Sequence, residues 1–155
     1  MKSKKLLIVA NTPSTNTVHL AEQVVVGANT TDAENIRVFF RTPFEALPED
    51  VLACDAIIMG TTENLGYMSG ALKDFFDRIY YPCLEKKQGL PCALYIRAGQ
   101  DGTGTRRAVE SIVTGLKWSW IREPLLLKGD YQEDFAAQCR EPGELVAVSL
   151  DAGII

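Results

Sequence analysis

"KKLLIVANTPSTNTVHLAEQVVVGA", Lys4 to Ala28, decides how the rest of the chain is read. Leu6 to Ala10 is a continuous apolar run with polar residues at both ends, the pattern of a short strand buried on both faces. From Val18 onward, Leu20, Ala21, Val24, Val25 and Ala28 recur at helical spacing, and "GANTTD" ends that helix. Between the two lies "NTPSTNT", Asn11 to Thr17, made of hydroxyl and amide side chains with one proline and no charge. A doubly buried strand that enters a helix through a polar turn is the opening of a strand–helix–strand unit.

The same alternation continues outward. "NIRVFFR" (Asn35–Arg41), "DAIIMGT" (Asp55–Thr61) and "PCALYIRAG" (Pro91–Gly99) read as strands two to four. "SWIREPLLLKG" supplies a fifth extended segment interrupted at Pro124. Glu49 to Ala53 adds a helical turn, Ser69 caps a helix whose stripe is Leu72, Phe75, Phe76 and Ile79, and another helix runs from about Arg106 to Leu116. Glu133 to Ala152 is helical in composition, with Pro142-Gly143 as a kink or break. "TENLGYM" and "QDGTGT" read as loops. Five strands with crossover helices imply one α/β domain over residues 1–155, a parallel sheet covered on both faces whose ligands bind at the carboxyl ends of the strands.

A net charge of −4 and a pI near 5.0 argue against nucleic acid as the partner, because phosphate backbones select a basic face. Cys54, Cys83, Cys92 and Cys139 have no metal-ligand spacing and read as free thiols of a reducing compartment. The apolar run after Lys5 is too short for a signal segment or a membrane span, so the expected location is cytoplasmic, without membrane association.

Three loops leave the same edge of such a sheet. In the first, the amides at a helix start stabilise an anion without a cation, and Thr12, Ser14, Thr15, Asn16 and Thr17 add polar donors; a plain helix cap fits the same residues. The missing Lys-Ser/Thr ending excludes a triphosphate loop. The second, Thr62 to Met68, offers Glu63, Asn64, Leu65, Tyr67 and Met68 around Gly66, a surface suited to a planar ring or to covering the core edge. In the third, Gly99, Gly102 and Gly104 let backbone approach a flat ligand while Gln100 and Asp101 bond its edge; a simple flexible loop has the same composition.

Together these residues resemble the flavodoxin-like superfamily. Thr12, Asn16 and Thr17 match its T-x-T-G-N-T phosphate loop, with Ser14 conservative and Thr15 in place of glycine. "GTTENLGYMSGALKDFFDR", Gly60 to Arg78, is similar to the G-x-P-x-x-x-G-x-M-S-G-x-x-K-x-F-x-D-R segment of the NAD(P)H-dependent FMN reductase and quinone reductase branch, with Thr62 where proline is usual. The resemblance implies a flavodoxin-like three-layer doubly wound sandwich with a five-stranded parallel sheet in the order 2-1-3-4-5. It implies non-covalent FMN, its phosphate on Thr12 and Ser14 to Thr17, and its ring against Thr62 to Met68 and Ala98 to Gly104 (Ala98, Gly99, Gln100, Asp101, Gly102, Gly104). Lys73, Asp77 and Arg78 read as structural or surface charges. NAD(P)H is the implied electron donor and a quinone or a redox protein the acceptor, with homo-oligomers common in the branch. An electron carrier and a member without flavin are the alternatives.

No catalytic acid–base set is present, and His19 reads as a cap or surface residue. Two rivals of the same fold fail: no cysteine is followed six residues on by arginine in a strand-to-helix loop, as a phosphatase needs, and Asn11 stands where a receiver domain has its acids.

Overall fold

The structure is a computed structural model and describes residues 2–155. Its elements in chain order are β1 (Lys4–Ala10), α1 (Thr15–Ala28), β2 (Ile36–Arg41), α2 (Pro48–Ala53), β3 (Ala56–Asn64), β4 (Tyr67–Met68), α3 (Gly70–Cys83), β5 (Pro91–Ala98), α4 (Thr103–Leu116), β6 (Ser119–Trp120), β7 (Leu125–Lys128) and α5 (Glu133–Asp151). β2, β1, β3 and β5 lie side by side in that order and are parallel throughout. β6 and β7 share the far side of β5, one fifth strand interrupted around Pro124. Counted as five strand positions, this is the order 2-1-3-4-5 and the flavodoxin-like three-layer fold.

Strand alternation divides the interior in two. Leu6, Ile8, Ile58 and Tyr95 face Leu20, Val24, Phe135 and Cys139 of α1 and α5. Leu7, Val9, Ile57, Met59 and Leu94 face α3 and α4 through Leu72, Phe75, Phe76, Ile79 and Val109. Both faces of β1 and β3 are thus dry, which is why these strands read as unbroken apolar runs.

Two glycines set the approach of α1 to α5. A Cβ at Gly27 would clash with the Arg140 carbonyl, and one at Gly143 with the Val24 carbonyl. α5 runs unbroken through Pro142, where the sequence suggested a kink or break; Pro142 and Gly143 are both buried against neighbouring structure.

Two further expectations are corrected. "TENLGYM" is not a loop: β3 continues to Asn64 and turns back as β4, pairing Glu63 with Met68 and Asn64 with Tyr67. The two-residue turn between them, Leu65-Gly66, has positive φ at both positions (53° and 76°), the primed geometry that follows strand twist. α4 begins at Thr103 rather than near Arg106, so Gly104 lies in its first turn.

Candidate functional site

The first loop enters α1 through Ser14. Its Oγ accepts the Thr17 amide at 3.2 Å, and Thr17 Oγ1 accepts the Ser14 amide at 2.9 Å, a reciprocal cap. Thr17 is buried and its hydroxyl is engaged within this cap. With Val18 bonded to the Ser14 carbonyl, the Thr15 and Asn16 amides are left at the helix start, and both residues are exposed. Thr15 needs no glycine, since it is helical and positive φ among the described non-glycine residues is confined to Leu65, Glu85 and Lys117.

Thr12 to Asn16 line an open depression of about 710 Å³ together with His19, Glu22, Tyr131 and Glu133. Tyr131 and Glu133 follow the fifth strand, so the seat has a wall from a fourth carboxyl-end loop that the three-loop reading of the sequence omits. The rule that ligands gather at strand ends applies to that strand too, and was the signal available for finding them.

Asn11, also missed, joins the first loop to the second: its Nδ2 donates to Thr62 Oγ1 at 3.3 Å, and Thr62 Oγ1 donates to Asn64 Oδ1 at 2.8 Å. Thr62, in place of the usual proline, therefore supplies an interloop bond. At the far end of the hairpin, Thr61 Oγ1 accepts the Ser69 amide at 3.0 Å, and Ser69 Oγ caps α3 through the Leu72 amide at 3.1 Å. Leu65 at the tip is fully exposed and Tyr67 partly so, whereas Met68 is buried in the core.

The second and third loops are joined by Glu63. Its two carboxylate oxygens accept the Gln100 amide at 3.0 Å and the Gly102 amide at 2.9 Å. Asp101 Oδ1 accepts the Thr103 amide at 3.0 Å, which holds the Asp101 carboxyl below its ordinary range. Gly102 adopts φ 70°, and a Cβ at Gly104 would clash with the Gly66 carbonyl, so α4 packs backbone to backbone on the hairpin turn. Gly99, Gln100 and Asp101 are exposed at the edge; the Ala98 side chain is in the core.

The motif charges behind the hairpin are occupied elsewhere. Lys73 pairs with Asp77 at 2.6 Å and Arg78 with Asp74 at 2.8 Å; Arg78 also donates to the Pro43 and Ala46 carbonyls, fastening the β2–α2 connection to α3. His19 is half-buried in the wall of the depression. Among the described residues no acidic, cysteine and histidine cluster could hold a metal, and no helix is long and apolar enough to cross a membrane.

The site thus offers an anion seat at a helix start beside a wall of exposed backbone, Leu65 and Tyr67, the donor set expected of a phosphate joined to a planar ring. Comparison with known proteins gives the family and the fold. A flavodoxin of Aquifex aeolicus (strain VF5) is 31% identical over 112 residues, which cover 72% of this chain and 60% of that relative's length. Among solved structures, a flavodoxin from the domain Archaea superposes with a TM-score of 0.78 at 17% identity, covering 92% of this chain and 96% of that one. An azoreductase of Bacillus anthracis str. Sterne gives 0.71 at 14% identity, covering 95% and 99%. These two likenesses show the fold. The model of the NADPH-dependent FMN reductase family matches residues 6–128, from β1 through the first three loops of the site to the end of β7. With that match spanning the strands, the hairpin and the glycine-rich loop alike, the chain belongs to the NADPH-dependent FMN reductase family.

Proposed function

We propose that the chain is an FMN flavoprotein, and that it works as an NAD(P)H-dependent oxidoreductase delivering electrons to a quinone or a similar small acceptor. One observation carries the reading beyond family membership. The three loops at one sheet edge are bonded to one another by their own side chains, through Asn11–Thr62 and through Glu63 to Gln100 and Gly102. A helix cap or a flexible loop would need no such ties.

The FMN phosphate would sit on the Thr15 and Asn16 amides with the Thr12, Thr15 and Asn16 side chains around it. The ring would lie against Leu65, Tyr67 and the backbone of Gly99 to Gly102. When bound, FMN supplies the electron chemistry itself, taking reducing equivalents from the nicotinamide and passing them on. The chain's part is to bind, orient and hold charge. Asp101 accepts the Thr103 amide, which holds its carboxyl below the ordinary range, so this side chain is no proton donor at neutral pH.

Purified protein should be yellow, or should quench added FMN fluorescence at one equivalent. It should oxidise NADPH or NADH faster when a quinone is present. Protein that neither carries nor takes up FMN would end the proposal. The runner-up is an electron carrier, favoured by the absence of an acid–base set and by the 31% identity to a flavodoxin. Flavin-loaded protein that oxidises neither nucleotide but accepts electrons from a protein reductase would select it.

A further inference from the structure

Sequence resemblance places Glu63 among the residues that touch the flavin ring; the geometry points to a different task. Both of its carboxylate oxygens are committed to backbone amides of the loop after β5, at 3.0 Å to Gln100 and 2.9 Å to Gly102. A carboxylate with both oxygens so engaged makes two charge-assisted bonds, stronger than neutral ones, which fix its orientation on the loop. We infer that Glu63 is a positioning residue, a two-pronged latch that holds loop 99–102 against the β3–β4 hairpin so that the two ring-facing loops form one wall.

Three features make the latch more than an incidental bond. Glu63 is itself fixed by the ladder, paired with Met68, whose side chain is buried in the core. The segment it grips has only a local tie of its own, Asp101 on the Thr103 amide: Gly102, which caps α4, has no side chain to contribute, and Gly99, Gln100 and Asp101 are exposed. Directly below, the Gly104 backbone packs on the Gly66 carbonyl, so a shift of α4's first turn moves the hairpin turn with it. The latched amides lie at the start of a helix, where a negative side chain is also stabilised by the helix dipole. A carboxylate from the hairpin thus fills the place a loop anion would otherwise take, and joins two loops by doing so.

The inference uses the FMN reading for its consequence in binding, yet the latch can be measured without flavin. Amide hydrogen exchange on flavin-free protein would compare wild type with Glu63→Ala and Glu63→Gln, alongside FMN titration of all three. The expected result is at least tenfold faster exchange at Gln100 and Gly102 in Glu63→Ala, with Val109 and Val113 in α4 unchanged. Glu63→Gln, which keeps one acceptor oxygen, should fall between the two. FMN release should quicken in the same order while the melting temperature stays within a few degrees, a split that a general loss of folding would not produce. Unchanged exchange at the two amides would overturn the latch. Faster exchange with unchanged FMN release would overturn the positioning role. If wild type takes up no FMN, the function reading fails separately, and the exchange comparison still decides whether Glu63 holds the loop.

Discussion

Leu65 carries two costs at once, a left-handed backbone and a fully exposed isobutyl side chain. Left-handed geometry costs an ordinary L-residue roughly 1–2 kcal/mol, and asparagine bears it more easily in a two-residue primed turn. Leu65→Asn should therefore raise unfolding stability by about 1 kcal/mol in urea titrations. It should also weaken FMN several-fold, because the apolar tip of the proposed ring wall is lost. Stability and affinity moving together in either direction would show that Leu65 is there for the turn alone. Glu133 and Glu22 stand in the wall of the depression proposed to seat the phosphate, and no lysine or arginine lines it, so the amides would work against local like charge. Glu133→Gln should tighten FMN binding two- to fivefold at low salt, and raising ionic strength should narrow that gap, as screening requires.

At the scale of elements, the legible parts were those whose own residues decide them. Leu6 to Ala10, Ile57 to Met59 and Ala93 to Ile96 had to be buried strands because both faces are apolar. Ser69 and the Leu72–Ile79 stripe had to open a helix. The misreadings share a cause, which is that distant residues settle the local conformation. Leu65-Gly66 is not a turn signature in the way Asn-Gly is, and the hairpin persists because its strands are held by Met68 in the core and by Thr61 on the Ser69 amide. "GTGT" has the composition of a loop, yet Glu63, some forty residues upstream, fixes the amide of the helix cap. Pro142 sits within an unbroken helix, and Gly143 beside it fits α1 closely. Gly143→Ala should accordingly cost about 1–3 kcal/mol, as overpacking does, and lower the thermal midpoint while leaving the hairpin side of the sheet unaltered in exchange measurements.

For the whole molecule, the two dry faces decide how stability follows pH. Burial pushes the Cys54, Cys92 and Cys139 thiols up to about 12, and burial raises Cys83 and Tyr95 as well. Each group holds its proton more tightly when folded, so this contribution is complete below pH 9, the ordinary thiol value, and is lost as pH rises from there toward 12. Urea midpoints should be level from pH 7 to 8.5 and fall progressively at pH 9.5 and 10.5. A flat profile over that alkaline range would contradict the burial of these thiols.

The closeness of α1 and α5 also has a consequence for how the protein is made. Gln23 and Arg140, bonded across this contact, lie 117 residues apart in the chain, and Lys4 reaches the Leu150 carbonyl across 146. On a ribosome adding about 5–20 residues per second, α1 waits many seconds for its partner. Through that interval the side of α1 that packs on α5 remains uncovered, so the helix whose start is proposed to seat the phosphate gains its full packing only when α5 emerges.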